Sequence, residues 1–152
     1  TNGSNIDFAR LFVGNWQTTR VAYDGNFYGF AMTLDAADRP CILHSPFDAT
    51  IGSYATQLSC LVSGLFSPTV LTPNPHDIIG VARDGGGKLH VLVRRVGFGS
   101  DESLVLMNDV GGAWVEEGIG DHPTPQFTVD GQGVPRMLYF DTVQLRLRQI
   151  HR

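Results

Sequence analysis

One lysine, three glutamates and two cysteines in 152 residues are the scarcities that first bound this chain. Lys88 stands against ten arginines, and the formal charge is −4. A mildly acidic surface without a basic stripe argues against binding along a phosphate backbone, so no nucleic-acid partner is expected. No apolar run approaches the roughly 18 to 20 residues that span a bilayer, so no membrane span is expected. Cys41 and Cys60 can form one bridge at most, too few for a disulfide scaffold and wrongly spaced for a zinc knuckle. The chain opens on Thr1 without a basic-plus-apolar leader, which predicts a processed product or an excised segment.

What is abundant is turn and strand material. Eighteen glycines, eight prolines and 42% hydrophobic residues predict short strands joined by tight turns in one globular domain, residues 1–152. Three segments align without gaps: Asp35 to His44, Asp84 to Val93 and Asp130 to Tyr139. In each, an apolar run ends at an aspartate, a turn follows, and Pro40, Leu89 or Pro135 opens a new run. A second series, Gly14-Asn-Trp16, Gly64-Leu-Phe66 and Gly112-Ala-Trp114, keeps nearly the same step. Another apolar residue, Phe8, Leu58 or Leu106, precedes each aromatic by the same distance.

That period exceeds the common helical repeats and fits one β-propeller blade. No amphipathic helical stretch interrupts the strand-like runs. The reading is therefore all-β: blades of four antiparallel strands, about three in the chain, as part of a larger, six-bladed ring. The blades fall at 1–24 (partial), 25–73, 74–120 and 121–152 (partial). A blade cannot bury both faces alone, so Trp16, Phe66 and Trp114 are expected to pack between blades. Three blades leave open ends, which predicts a second copy or another chain to complete the ring. Both ends of the sequence offer the third strand of a blade, one more than a closed blade needs.

Met107-Asn-Asp109-Val-Gly111-Gly-Ala-Trp114 places Asp, Gly and Trp at the offsets of an Asp-box. The chain resembles the Asp-box, or sialidase-like (BNR-type), propellers on those residues. The resemblance implies a turn motif of structural purpose, between the third and fourth strands of a blade.

Three loops between successive blades carry the candidate site. They hold Asp24 and Tyr28, then His76 and Asp77, then Asp121 and His122. Carboxylates, imidazoles and aromatics converging on one face suit a sugar, whose hydroxyls bond to Asp while its apolar face stacks on rings. The same residues could instead cap tight turns. The two histidines lack ligand-type spacing, so no metal and no cofactor is expected. Arg83, Arg94 and Arg95 could serve a sialidase-like hydrolase, but Arg94 and Arg95 are adjacent and point to opposite faces, and no nucleophile pair accompanies them. The expected function is a non-catalytic, lectin-like propeller recognising a glycan or a protein partner, with a glycoside hydrolase fragment as the alternative.

The cysteines acquire meaning once the strands are placed. Cys41 opens the second strand of the first full blade, and Cys60 lies late in the third. If Phe47 faces Ser53, the hairpin puts the two cysteines opposite each other or one residue out of register. Opposed positions lie within disulfide reach, whereas a one-residue slip forbids the bond. A cross-strand disulfide is expected, and with it an extracellular or periplasmic location.

Overall fold

The structure, a computed structural model, describes residues 5–22, 29–48, 50, 52–74, 76–95, 103–110, 112–120, 125–141 and 146–151. These residues form antiparallel strands and tight turns, with no helix among them. The strands are β1 (Ile6–Phe12), β2 (Asn15–Ala22), β3 (Phe30–Leu34), β4 (Pro40–His44), β5 (Phe47–Asp48), β6 (Ser53–Tyr54), β7 (Thr56–Val62) and β8 (Leu65–Thr72). They continue with β9 (His76–Arg83), β10 (Leu89–Arg95), β11 (Leu104–Val110), β12 (Ala113–Gly120), β13 (Gln126–Val129), β14 (Pro135–Asp141) and β15 (Arg146–His151).

Every ladder joins consecutive strands except β4–β7, which is interrupted by β5 and β6. The first sheet is β1–β2, the second β3–β4–β7–β8, the third β9–β10–β11–β12 and the last β13–β14–β15. A small β5–β6 ribbon extends the hairpin between β4 and β7. The expected all-β, antiparallel architecture is therefore present, with two four-stranded sheets at the middle of the chain.

The repeated aspartates explain why the strands turn where they do. Asp35 Oδ1 accepts from the amides of Ala37 and Arg39, both at 2.9 Å. Asp84 does the same with Gly86 and Lys88, and Asp130 with Gln132 and Val134, all at 2.9 Å. An aspartate is short enough to substitute for backbone acceptors in such a turn, which is what makes it a turn former. The fourth turn residue has positive φ each time: Asp38 at 57°, Gly87 at 84° and Gly133 at 81°. The second carboxylate oxygen meets Arg39 in the first turn, His90 in the second and Arg136 in the third. The three carboxyls lie below their ordinary range: Asp35 at about 2, chiefly through the Arg39 side chain, Asp84 chiefly through His90, and Asp130 chiefly through the Val134 amide and then Arg136.

Sheets stack face to face through apolar layers. Leu43 of the second sheet packs with Val91, Val93, Val105 and Met107 of the third. Leu92 and Leu104 of the third pack with Met137 of the last. Burial alternates along β3, with Ala31 and Thr33 half-buried and Phe30, Met32 and Leu34 exposed, because only one of its faces meets the third sheet. The three aromatics follow the same logic. Trp114 packs backward on the layer between the second and third sheets, and the Phe66 ring lies 5.7 Å from Phe8 of the first. Trp16 is 72% exposed, since no described residue covers that side of the first sheet.

Cys41 and Cys60 pair directly across β4 and β7 and are bonded, with Cα atoms 4.0 Å apart. The register follows from the ribbon, where Phe47 faces Tyr54 rather than Ser53. That one-residue adjustment brings the cysteines opposite each other. Removing the bond by Cys41→Ala with Cys60→Ala should cost about 3 kcal/mol, the value for a loop closed across a sequence separation of 19. Urea unfolding of oxidised wild type and the double variant measures it; equal midpoints would show that the bond does not stabilise the sheet.

Candidate functional site

His76 and Asp77 open β9 rather than lying in the loop before it. Strand alternation then sends their side chains to opposite faces. Asp77 stands beside Gly29 ahead of β3, where a Cβ would come within 3.2 Å of its Oδ1 and 2.7 Å of the Ile78 carbonyl. His76 turns into the space between the second and third sheets and is buried. Asp24, Tyr28, Asp121 and His122 lie outside the described residues.

Around His76 the second sheet supplies hydroxyls. Ser45 follows β4 and Thr56 begins β7, so the hairpin brings both to the same edge of the sheet. Ser45 Oγ donates to the His76 carbonyl at 2.9 Å, and Thr56 Oγ1 donates to the Asn74 carbonyl at 3.0 Å. The His76 Nδ1 lies 2.9 Å from Thr56 Oγ1. With the threonine proton committed to Asn74, that oxygen can only accept, so Nδ1 carries the hydrogen of the neutral ring. The other nitrogen, Nε2, is then a bare acceptor.

The third sheet supplies the charges. Arg95 pairs across the ladder with His76, and Glu116 projects from β12 on the same face as Trp114. Glu116 Oε2 accepts from Arg95 at 2.8 Å, while Oε1 lies 3.8 Å from His76 Nε2. Burial pushes the His76 imidazole below its usual range; Glu116 and the Asn74 carbonyl oppose that shift, and Arg95 adds to it. The ring is therefore neutral at pH 7 and presents its acceptor beside the carboxylate.

The arrangement is a rim of acceptor, carboxylate and guanidinium above an apolar layer that includes Met107 and Trp114. A hydroxyl placed there can donate to Glu116 and accept from Arg95, with the buried His76 behind the carboxylate. The sequence reading missed Glu116 and considered Arg95 only as one of a group of arginines. Trp114 and Glu116 stand two apart on one strand, and that spacing was the available signal for their shared face.

Other features fit a ligand less well. A cavity between the third and last sheets, lined by Leu92, Leu106, Ile119, Phe127 and Met137, has room for about 20 Å³, one water rather than a sugar. Among the described residues no group of three metal-ligating side chains comes together. No helix of the described residues is long and apolar enough to cross a membrane.

No protein-family model matches the chain, and no curated protein is similar to it. Among solved structures, the chain is similar to a fucose lectin from Kordia zhangzhouensis in complex with methyl-fucoside, at 17% identity and a TM-score of 0.48, over 82% of this chain and 92% of that one.

Proposed function

We propose that the chain is a carbohydrate-binding, non-catalytic part of a β-propeller, and that it holds a sugar at Arg95 and Glu116, the pair backed by the buried His76. One observation carries the reading. A half-buried carboxylate is held by an exposed guanidinium beside a neutral imidazole acceptor, above an indole-containing apolar layer. Sugars offer adjacent hydroxyls, each donor and acceptor, together with an apolar ring face. Convergent polar groups over an apolar floor meet both demands. The disulfide supports an oxidising, extracellular or periplasmic setting. A mildly acidic chain with an apolar-floored rim favours a neutral glycan.

The stacking of β9 on both β3 and β13 supports the propeller reading. First strands line the centre of such a ring, and the aspartate turns of neighbouring sheets meet there. A Cβ on Gly133 would stand 3.1 Å from Asp84 Oδ2, and Arg83 Nε donates to the Leu34 carbonyl at 2.9 Å.

A glycan array followed by calorimetry on the best hit tests the site. Glu116→Gln and Arg95→Ala should each weaken binding about 10-fold or more, the scale of a charged hydrogen bond. Affinity unchanged in the double variant would overturn the assignment. Loss only on joint replacement of Asp24, Asp77 and Asp121 would move the site to the loops between sheets.

A further inference from the structure

His76 is buried directly behind Glu116, the carboxylate that reaches solvent beside Arg95. The ring is held from the second sheet. Its Nδ1 lies 2.9 Å from Thr56 Oγ1, whose own proton goes to the Asn74 carbonyl at 3.0 Å. Ser45 Oγ donates to the His76 carbonyl at 2.9 Å, which fixes the strand as well as the ring. With Nδ1 as donor, Nε2 turns a lone pair toward Glu116 Oε1 across 3.8 Å. Two acceptors facing each other at that distance make no hydrogen bond. Oε1 is therefore left to a sugar hydroxyl, while Oε2 is held by Arg95 at 2.8 Å.

We infer that His76 sets the position of Glu116 and makes sugar binding acid-labile: the neutral ring leaves Oε1 at the rim, and the charged ring draws it inward. The inference rests on the sugar reading above and adds its regulation. A proton taken from solvent by Nε2 turns the facing pair into a donor and an acceptor. A charge-assisted bond of that kind closes to about 2.8 Å, so Oε1 moves about 1 Å toward the ring and away from the ligand. The bond from Nδ1 to Thr56 is kept in both states. His76 is thus a positioning residue, acting on the sugar only through the carboxylate.

The groups around the ring fix the direction and the range of the effect. Among the described residues, Glu116 favours the charged form and Arg95 opposes it. Asp77, Arg94 and Glu117 stand on the opposite face of the third sheet, by strand alternation. The second sheet offers the hydroxyls of Ser45 and Thr56. Burial is the largest influence and lowers the pKa of the ring from 6.5. The ring is therefore neutral at neutral pH and charges only on the acid side of 6.5. A sugar on Oε1 competes with the proton on Nε2, so each weakens the other by the same factor.

Calorimetry of the chain with a panel of neutral methyl glycosides at pH 7.5 and pH 5 tests this, with circular dichroism confirming the fold at both. Affinity should fall about 10-fold on acidification. Binding at pH 5 should release protons, read from the difference between buffers of unlike ionisation heat. His76→Asn sets an amide nitrogen near the place of Nδ1 and keeps a donor for Thr56, but it cannot charge. Whatever its affinity at pH 7.5, its loss on acidification should shrink to about 2-fold or less. Nitrogen-15 NMR of the wild-type ring gives a reading that needs no variant. Its titration midpoint should drop by about one pH unit with glycoside bound, the counterpart of the 10-fold loss. A wild-type affinity that ignores pH would overturn the inference and leave the sugar reading standing. So would a midpoint unmoved by glycoside, or a folded Asn variant with the wild-type acid loss. Failure of every methyl glycoside to bind at pH 7.5 would overturn both readings.

Discussion

Lowering the pH from 6.5 to 4 should remove about 3 kcal/mol of stability through His44 alone. Its ring is buried, Nε2 lies 2.8 Å from Ser59 Oγ, and Nδ1 has no partner among the described residues. Burial depresses its pKa from 6.5 to about 4. The unfolded chain therefore takes up a proton throughout that window while the folded chain does not. Stability is complete above the unfolded value and falls as pH drops toward the folded one, at about 1.4 kcal/mol per unit. His76, shifted in the same direction, adds to the slope.

The double variant His44→Leu, Ser59→Ala removes the imidazole and its partner together, which avoids leaving a buried hydroxyl unpaired. Urea unfolding at pH 7 and at pH 4.5 should show a markedly smaller difference for this variant than for wild type. An identical pH dependence would mean that His44 is not the acid-sensitive group.

Leu43→Ala should cost about 3 to 4 kcal/mol, and Leu92→Ala as much. Both side chains are fully buried between sheets, where truncation removes transfer energy and leaves a cavity. Val115→Ala, on the exposed side of β12, should cost less than about 1 kcal/mol. Chemical unfolding of the three variants makes the comparison. A loss below about 1 kcal/mol at Leu43 would show that the second and third sheets do not share a packed layer.

The contrast between Leu43 and His76 shows what the sequence disclosed and what it withheld. Asp35, Asp84 and Asp130 were readable because each turn closes on its own aspartate, within five residues and without help from elsewhere. The cross-strand position of Cys41 and Cys60 was readable to within one residue, since hairpin register accumulates from a single turn. His76 was misplaced by local reading because Pro73, Asn74 and Pro75 signal a loop. Its surroundings come instead from Ser45, Thr56 and Glu116, which stand 31, 20 and 40 residues away. Those approaches depend on how one sheet lies on the next, and no turn signal encodes that.

The absence of any crossover among the described ladders also shapes how the chain unfolds. Each sheet is a meander whose strands find partners already adjacent along the chain, so loop closure is short and assembly proceeds by local zippering. Coupling between sheets is then nearest-neighbour, and stability should decline outward from the middle of the stack. Amide hydrogen exchange should be slowest at Val91 to Val93 and Val105 to Met107, central strands with sheets on both sides. It should be fastest in β1 and β2, which form only one ladder. A sugar held between the second and third sheets would slow the middle of that gradient and leave its ends unchanged.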